Sequence, residues 1–165
     1  MKDKIKLTAS QEDYLEVIAH IIAVKKVARA KEIAAKMNVS RSSVTEAFRS
    51  LSKKGLINYA PYEVITMTDL GEEMANDVIF RHNALKEFFI KILAVDEELA
   101  DSGACRIEHA APPEIIDRFI QFVKFVEVCP RGGAEWIKSF DKYYKKGFTV
   151  KKDCRECISL CLDKK

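Results

Sequence analysis

No apolar run in these 165 residues approaches the roughly 20 that a bilayer-spanning helix needs. The longest candidate, Phe88 to Val95, is interrupted by Lys91. The start, Met1-Lys2-Asp3-Lys4, leads into Ile5 and Leu7 without the apolar stretch of a secretory signal. The expectation is a cytoplasmic protein with no membrane partner. The sequence also has no His-Glu-x-x-His, no Gly-rich phosphate loop and no legible Ser/His/Asp order. An enzyme acting on a small-molecule substrate is therefore without support. Internal repeats and low-complexity stretches are absent as well. In a cytoplasmic chain, the five cysteines read as free, metal-bound or redox-active thiols rather than a disulfide framework.

What is present is a folded composition, 48% hydrophobic and 32% charged, which argues against disorder. Charge is unevenly spread. Residues 1–68 carry a balance of +5, residues 69–128 of −7 and residues 129–165 of +5. A basic first segment suits a polyanion such as DNA, and an acidic middle gathers cations. Chance fluctuation over 60-residue windows is the plain alternative.

Periodicity predicts a mainly α chain. A first helix covers Glu12 to Val24, with Tyr14, Leu15, Ile18, Ile21 and Ile22 at helical spacing. Ser10 is the expected N-cap, with Asp13 in the capping-box position. A second helix runs from Ala30 to Met37. After the turn Asn38-Val39-Ser40, a third runs to about Lys53, stopped by Gly55. Leu56 to Ala60 and Val64 to Met67 read as a hairpin, and Thr68 caps the next helix. Helix, helix-turn-helix, glycine and hairpin together make a winged helix-turn-helix with a small β wing.

From Asp69 a long apolar stripe begins, containing Met74, Val78, Leu85, Phe88, Phe89 and Ile92, with a break expected near His82. It exceeds what one short helix needs for its own packing, and part of it suits a dimer interface. Helices are further expected over Asp101–Ala110, Pro113–Val128 and Glu135–Tyr144. The expected division is residues 1–68 for the winged helix-turn-helix DNA-binding domain, 69–145 for a helical domain, and 146–165 for a basic connector and Cys-rich tail.

The second helix of a helix-turn-helix enters the major groove. Val44, Ala47, Phe48 and Leu51 must face the core, which leaves Arg41, Ser42, Ser43, Thr45, Glu46 and Arg49 for double-stranded DNA. Lys53 and Lys54 fit phosphate contacts. The plainer reading makes the serines caps and the arginines a solvated face.

Cys105, Glu108 and His109 stand at i, i+3 and i+4, so a single helix would present all three on one face. A thiolate, a carboxylate and an imidazole suit a divalent transition metal. Asp13 and Glu16, at i and i+3 on the first helix, and His82 on the middle helix are further ligand types. Each has a bland alternative: Asp13 as a capping carboxylate, Cys105 as a small core residue, His82 as a satisfied buried histidine.

Taken together, Gln11-Glu12-Asp13-Tyr14-Leu15-Glu16, Ser42-Ser43-Val44-Thr45, Thr68-Asp69-Leu70-Gly71, Arg81-His82 and Cys105-Arg106-Ile107-Glu108-His109 resemble the diphtheria toxin repressor and manganese transport regulator family. The resemblance runs in order from about residue 8 to residue 127. It implies a homodimeric, metal-dependent repressor of metal-uptake genes, with residues 69–145 as an all-helical metal-binding and dimerisation domain. Fe(II) or Mn(II) would bind between the two domains and fix the dimer for its DNA operator. Carried over by position, Asp13, Glu16, His82, Cys105, Glu108 and His109 fall on the family's metal positions. The set is mixed: Asp13 and Glu16 resemble manganese-type members, Cys105 iron-type members. Lys86 replaces a carboxylate of the iron-type ancillary site, and Asp101 the usual histidine, so a second metal in that form is not expected.

The resemblance does not account for Cys154, Cys157 and Cys161, at i, i+3 and i+7. With Cys129 they offer a four-thiol set for zinc or an iron–sulfur cluster. The alternative function they carry is a DNA-binding regulator that senses redox state or a cluster. The bland one is small contacts on a terminal helix, or incidental thiols.

Overall fold

The computed structural model describes residues 5–60, 63–129 and 134–146. Its elements are α1 (Ala9–Lys25), α2 (Ala30–Met37), α3 (Arg41–Lys53), β1 (Ile57–Asn58), β2 (Thr66–Met67), α4 (Asp69–Lys91), α5 (Glu97–Ile107), α6 (Pro113–Val128) and α7 (Ala134–Lys146). The mainly α, winged helix-turn-helix expectation holds. The chain divides into two compact units, Met1–Phe80 and Arg81–Lys165, with the division falling inside α4.

In the first unit, α1, α2 and α3 enclose Leu15, Ile18, Ile33, Val44, Phe48 and Leu51, all fully buried. Burying each such side chain contributes about 1.5–3 kcal/mol. The sequence sets the turns between them. Asn38 takes the left-handed conformation that ends α2, at φ 53°, where its short polar side chain tolerates αL. Ser40 Oγ accepts from Ser43 N at 3.1 Å and starts α3. Gly55, at φ +71°, turns the chain from α3 into β1.

The wing is shorter than the sequence predicts. Among the described residues, Ile57↔Met67 and Asn58↔Thr66 pair, antiparallel, with an added bridge Ala28↔Ile65. Gly71 explains how α4 meets β1: a Cβ there would lie 1.9 Å from the Leu56 carbonyl oxygen, so only glycine fits. Thr68 Oγ1 accepts from Gly71 N at 3.0 Å and caps α4.

Three helix readings need correction. The N-cap of α1 is Thr8, not Ser10. Thr8 Oγ1 accepts from Gln11 N, and the Thr8 N–H donates to Gln11 Oε1, closing a capping box with Gln11 rather than Asp13. Helix α4 runs unbroken through His82, since no glycine or proline lies between Glu72 and Lys91. Helix α5 starts earlier, at Glu97, because Asp96 accepts from Leu99 N at 3.0 Å and caps it. It also ends earlier, at Ile107.

In the second unit Leu85, Ala104 and Ile116 form one buried cluster, with Phe89 and Phe119 against it. Ile92, Val123 and Val126 form another, with Phe88 and Ile137. Pro113 at the first position of α6 pre-sets its backbone. Among the described residues, no helix is long and apolar enough to cross a membrane.

Candidate metal centre and nucleic-acid interface

Cys105 lies in the last turn of α5, and Glu108 and His109 follow it directly. Glu108 is the C-cap and His109 lies in the following turn. Cys105 is exposed, His109 half-buried and Glu108 fully buried. The turn is closed by the Ile107 carbonyl, which accepts from the N–H groups of Ala110 and Ala111 at 2.9 Å.

Glu108 is the only fully buried charged side chain among the described residues. Its Oε2 lies 2.7 Å from His82 Nδ1. Its Oε1 has His109 Nε2 at 3.3 Å, yet accepts no hydrogen bond among the described residues. Arg81 Nη1 donates to the Glu108 backbone carbonyl at 3.0 Å and so fixes the turn. A buried carboxylate with an unsatisfied oxygen is costly to keep. A carboxylate flanked by two imidazoles is also a donor set that suits a first-row divalent cation. The residues therefore fit a metal.

The sequence reading missed what stands behind His82. His82 and Lys86 are one turn apart on α4; Glu97 and Asp101 are one turn apart on α5. His82 Nε2 lies 3.3 Å from Asp101 Oδ1, and Lys86 Nζ lies 2.9 Å from the same oxygen and 3.2 Å from Glu97 Oε1. Hydrogen bonds from Lys86 first, then His82, hold the Asp101 carboxyl below its ordinary range. Asp101 and then Glu97 raise the Lys86 ammonium above its own. The i,i+4 spacing on both helices was the available signal. Lys86 and Asp101, at the two departures from the iron-type ancillary pattern, bind each other.

Asp13 and Glu16 lie half-buried on α1 in the first unit. Cys129 is half-buried at the end of α6. Cys154, Cys157 and Cys161 lie outside the described residues.

On α3, Arg41, Ser42, Ser43, Glu46 and Arg49 are exposed, while Thr45 is half-buried. Thr45 Oγ1 donates to the Arg41 carbonyl at 2.9 Å. Ser40 Oγ lies 2.7 Å from Ser42 Oγ and 2.9 Å from Ser43 Oγ, so the hydroxyls also serve the cap. Lys54 differs from its expected outward role. Its Nζ donates to the Lys6 carbonyl at 2.7 Å and to Gln11 Oε1 at 2.8 Å, and Gln11 Nε2 donates to Ser50 Oγ at 2.8 Å. It pins the segment before α1 to the end of α3.

Comparisons with known proteins cover both units. The family model described as the iron-dependent repressor N-terminal DNA-binding domain matches residues 6–74. The one described as the iron-dependent repressor metal-binding and dimerisation domain matches residues 68–137. The chain is 35% identical over 119 residues to an uncharacterised helix-turn-helix transcriptional regulator of Methanocaldococcus jannaschii, covering 72% of this chain and 95% of that one. It is 36% identical over 123 residues to the helix-turn-helix regulator MntR of Lysinibacillus sphaericus, covering 74% and 88%. Among solved structures, IdeR of T. acidophilum superposes with TM-score 0.64 at 27% identity, over 79% of this chain and 60% of that one. A manganese-dependent transcriptional repressor in complex with manganese does so with TM-score 0.65 at 26% identity, over 73% and 56%. The chain thus spans less than two thirds of those two solved chains.

Proposed function

The chain belongs to the diphtheria toxin repressor and manganese transport regulator family of metal-dependent helix-turn-helix transcriptional regulators, which are not enzymes, and on that premise we propose that it is a cytoplasmic, homodimeric repressor of metal-uptake genes activated by Fe(II) or Mn(II). The observation that carries the metal reading is the buried Glu108 carboxylate, with His82 at one oxygen and His109 beside the other, unsatisfied one. By the resemblance, Asp13, Glu16 and Cys105 complete the ligand set. Their oxygens suit Mn(II), while the Cys105 thiolate favours the later ion, which tips the preference slightly to Fe(II).

A divalent cation bound by these residues supplies the positive charge that gathered carboxylates lack. The chain's own contribution is to hold the donors: Arg81 fixes the Glu108 backbone, and α4 presents His82 to the Glu108 carboxylate. Asp13 and Glu16 belong to the helix that begins the DNA-reading unit, so ligand binding there is felt by α3 through their common core. In a homodimer, two α3 helices held about 34–36 Å apart would match successive major grooves. Metal then raises DNA affinity without touching DNA.

The test is an anaerobic titration of the full chain with Fe(II) and with Mn(II), run beside Glu108→Gln. The expected result is tight binding by the unaltered chain, with Fe(II) preferred, and loss of at least about 100-fold in affinity for the variant. Equal affinity in the two proteins contradicts the assignment.

A further inference from the structure

Asp101 lies outside the proposed ligand set, yet it is the group that meets the second nitrogen of a proposed ligand. An ionised carboxylate only accepts hydrogen bonds, and His82 has one at each ring nitrogen: Asp101 Oδ1 3.3 Å from Nε2 and Glu108 Oε2 2.7 Å from Nδ1. The nearer of the two, Glu108, is the fully buried one, while Asp101 is exposed. A cation held by Glu108 would take the Nδ1 lone pair, and the ring's remaining proton, on Nε2, then has Asp101 as its acceptor.

Asp101 does not hang free in this arrangement. Lys86 Nζ bonds the same oxygen at 2.9 Å, and Glu97 Oε1 flanks Lys86 at 3.2 Å. The four residues are two one-turn pairs on facing helices: His82 and Lys86 on α4, Glu97 and Asp101 on α5. Surface ion pairs of this kind add little stability. Orientation is a different matter, since a ligating histidine is commonly set by a carboxylate on its other nitrogen, and losing that partner weakens metal binding by about 10- to 100-fold.

We propose that Asp101, clamped by Lys86, is a positioning residue for His82: it takes Nε2 and commits Nδ1 as the ligating nitrogen. The proposal rests on reading His82 and Glu108 as metal ligands. It extends that reading to two residues of opposite charge that touch no metal, and names the atom through which His82 binds.

Two measurements on the full chain test it. In Mn(II) titrations, Asp101→Ala should lose about 10- to 100-fold in affinity, Asp101→Asn, which keeps an acceptor, should recover much of the loss, and Lys86→Met should lose less. The double variant Lys86→Met with Asp101→Ala should be no weaker than Asp101→Ala alone, because Lys86 acts through Asp101. Nitrogen-15 spectra of the Zn(II)-loaded chain, where the ion is diamagnetic, should report His82 Nδ1 metal-bound and Nε2 protonated. Unchanged affinity in Asp101→Ala while Glu108→Gln fails to bind would overturn the clamp and spare the centre. Unchanged affinity in both would remove the centre and the clamp together. Zn(II) on Nε2 overturns the atom assignment directly. Asp101 is exposed, so its variants should fold, and thermal melts check that they do.

Discussion

His82 Nδ1 lies 2.7 Å from Oε2 of Glu108, a carboxylate with no exposed surface. One residue comes from the middle of α4 and the other from the turn after α5, 26 positions later. A carboxylate so placed gains most from a cation. Ligand binding to the folded chain alone stabilises it by mass action, about 2.7 kcal/mol at a hundredfold excess over Kd. Mn(II) should therefore raise the melting temperature of the chain by several degrees. His82→Ala and Glu108→Gln should abolish that rise, and chelator should reverse it in the unaltered protein. Differential scanning calorimetry with and without metal measures all three.

Gly71 is required by packing rather than by backbone conformation. A methyl group there would meet the Leu56 carbonyl at 1.9 Å, and backbone yields little. Gly71→Ala should cost about 3 kcal/mol or more in unfolding stability and displace the first strand of the wing. Denaturant melts give the cost.

The cap of α1 separates two serine/threonine positions two residues apart. Thr8→Ala removes the hydroxyl that accepts from Gln11 N and should cost about 1 kcal/mol. Ser10→Ala, inside the helix, should be near neutral. Parallel urea melts distinguish them, and the reverse order would return the cap to Ser10.

Arg41 and Arg49 stand exposed on α3. If they meet DNA, Arg49→Ala should weaken binding by about 1–3 kcal/mol where it reads a base. Where it meets a phosphate, it should instead lower the salt dependence by about one unit of slope. Titrations across a salt series tell the two apart. Lys54→Met should act otherwise: since Lys54 bonds Lys6 and Gln11, its loss should lower stability while leaving the salt slope unchanged.

Much of this was legible in the sequence where a local residue decides the outcome. Asn38 stops α2, Ser40 starts α3 and Pro113 starts α6, each through its own backbone or side-chain chemistry. The readings that needed correction turned on competition between neighbours. Thr8 outcompetes Ser10 because Gln11, three residues after Thr8, can reach back to it. Asp96 captures the start of α5 ahead of the acidic residues that follow. At the site, residue types were readable and their arrangement was not. The i, i+3, i+4 spacing could not report that α5 ends at Ile107, with Glu108 as its cap and His109 in the turn beyond. The pairing of His82 with Glu108, and of Lys86 with Asp101, joins elements far apart in sequence, which spacing within one helix cannot report.

The central claim is that metal controls DNA binding through Glu108 and His109. It is tested most directly by measuring anaerobic binding to the DNA upstream of the protein's own gene, at one fixed salt concentration, with chelator, Mn(II) or Fe(II). Binding with metal and little with chelator is expected, with no metal response in His109→Ala despite an intact dimer. Equal binding in chelator and metal, or a full metal response in His109→Ala, would contradict it.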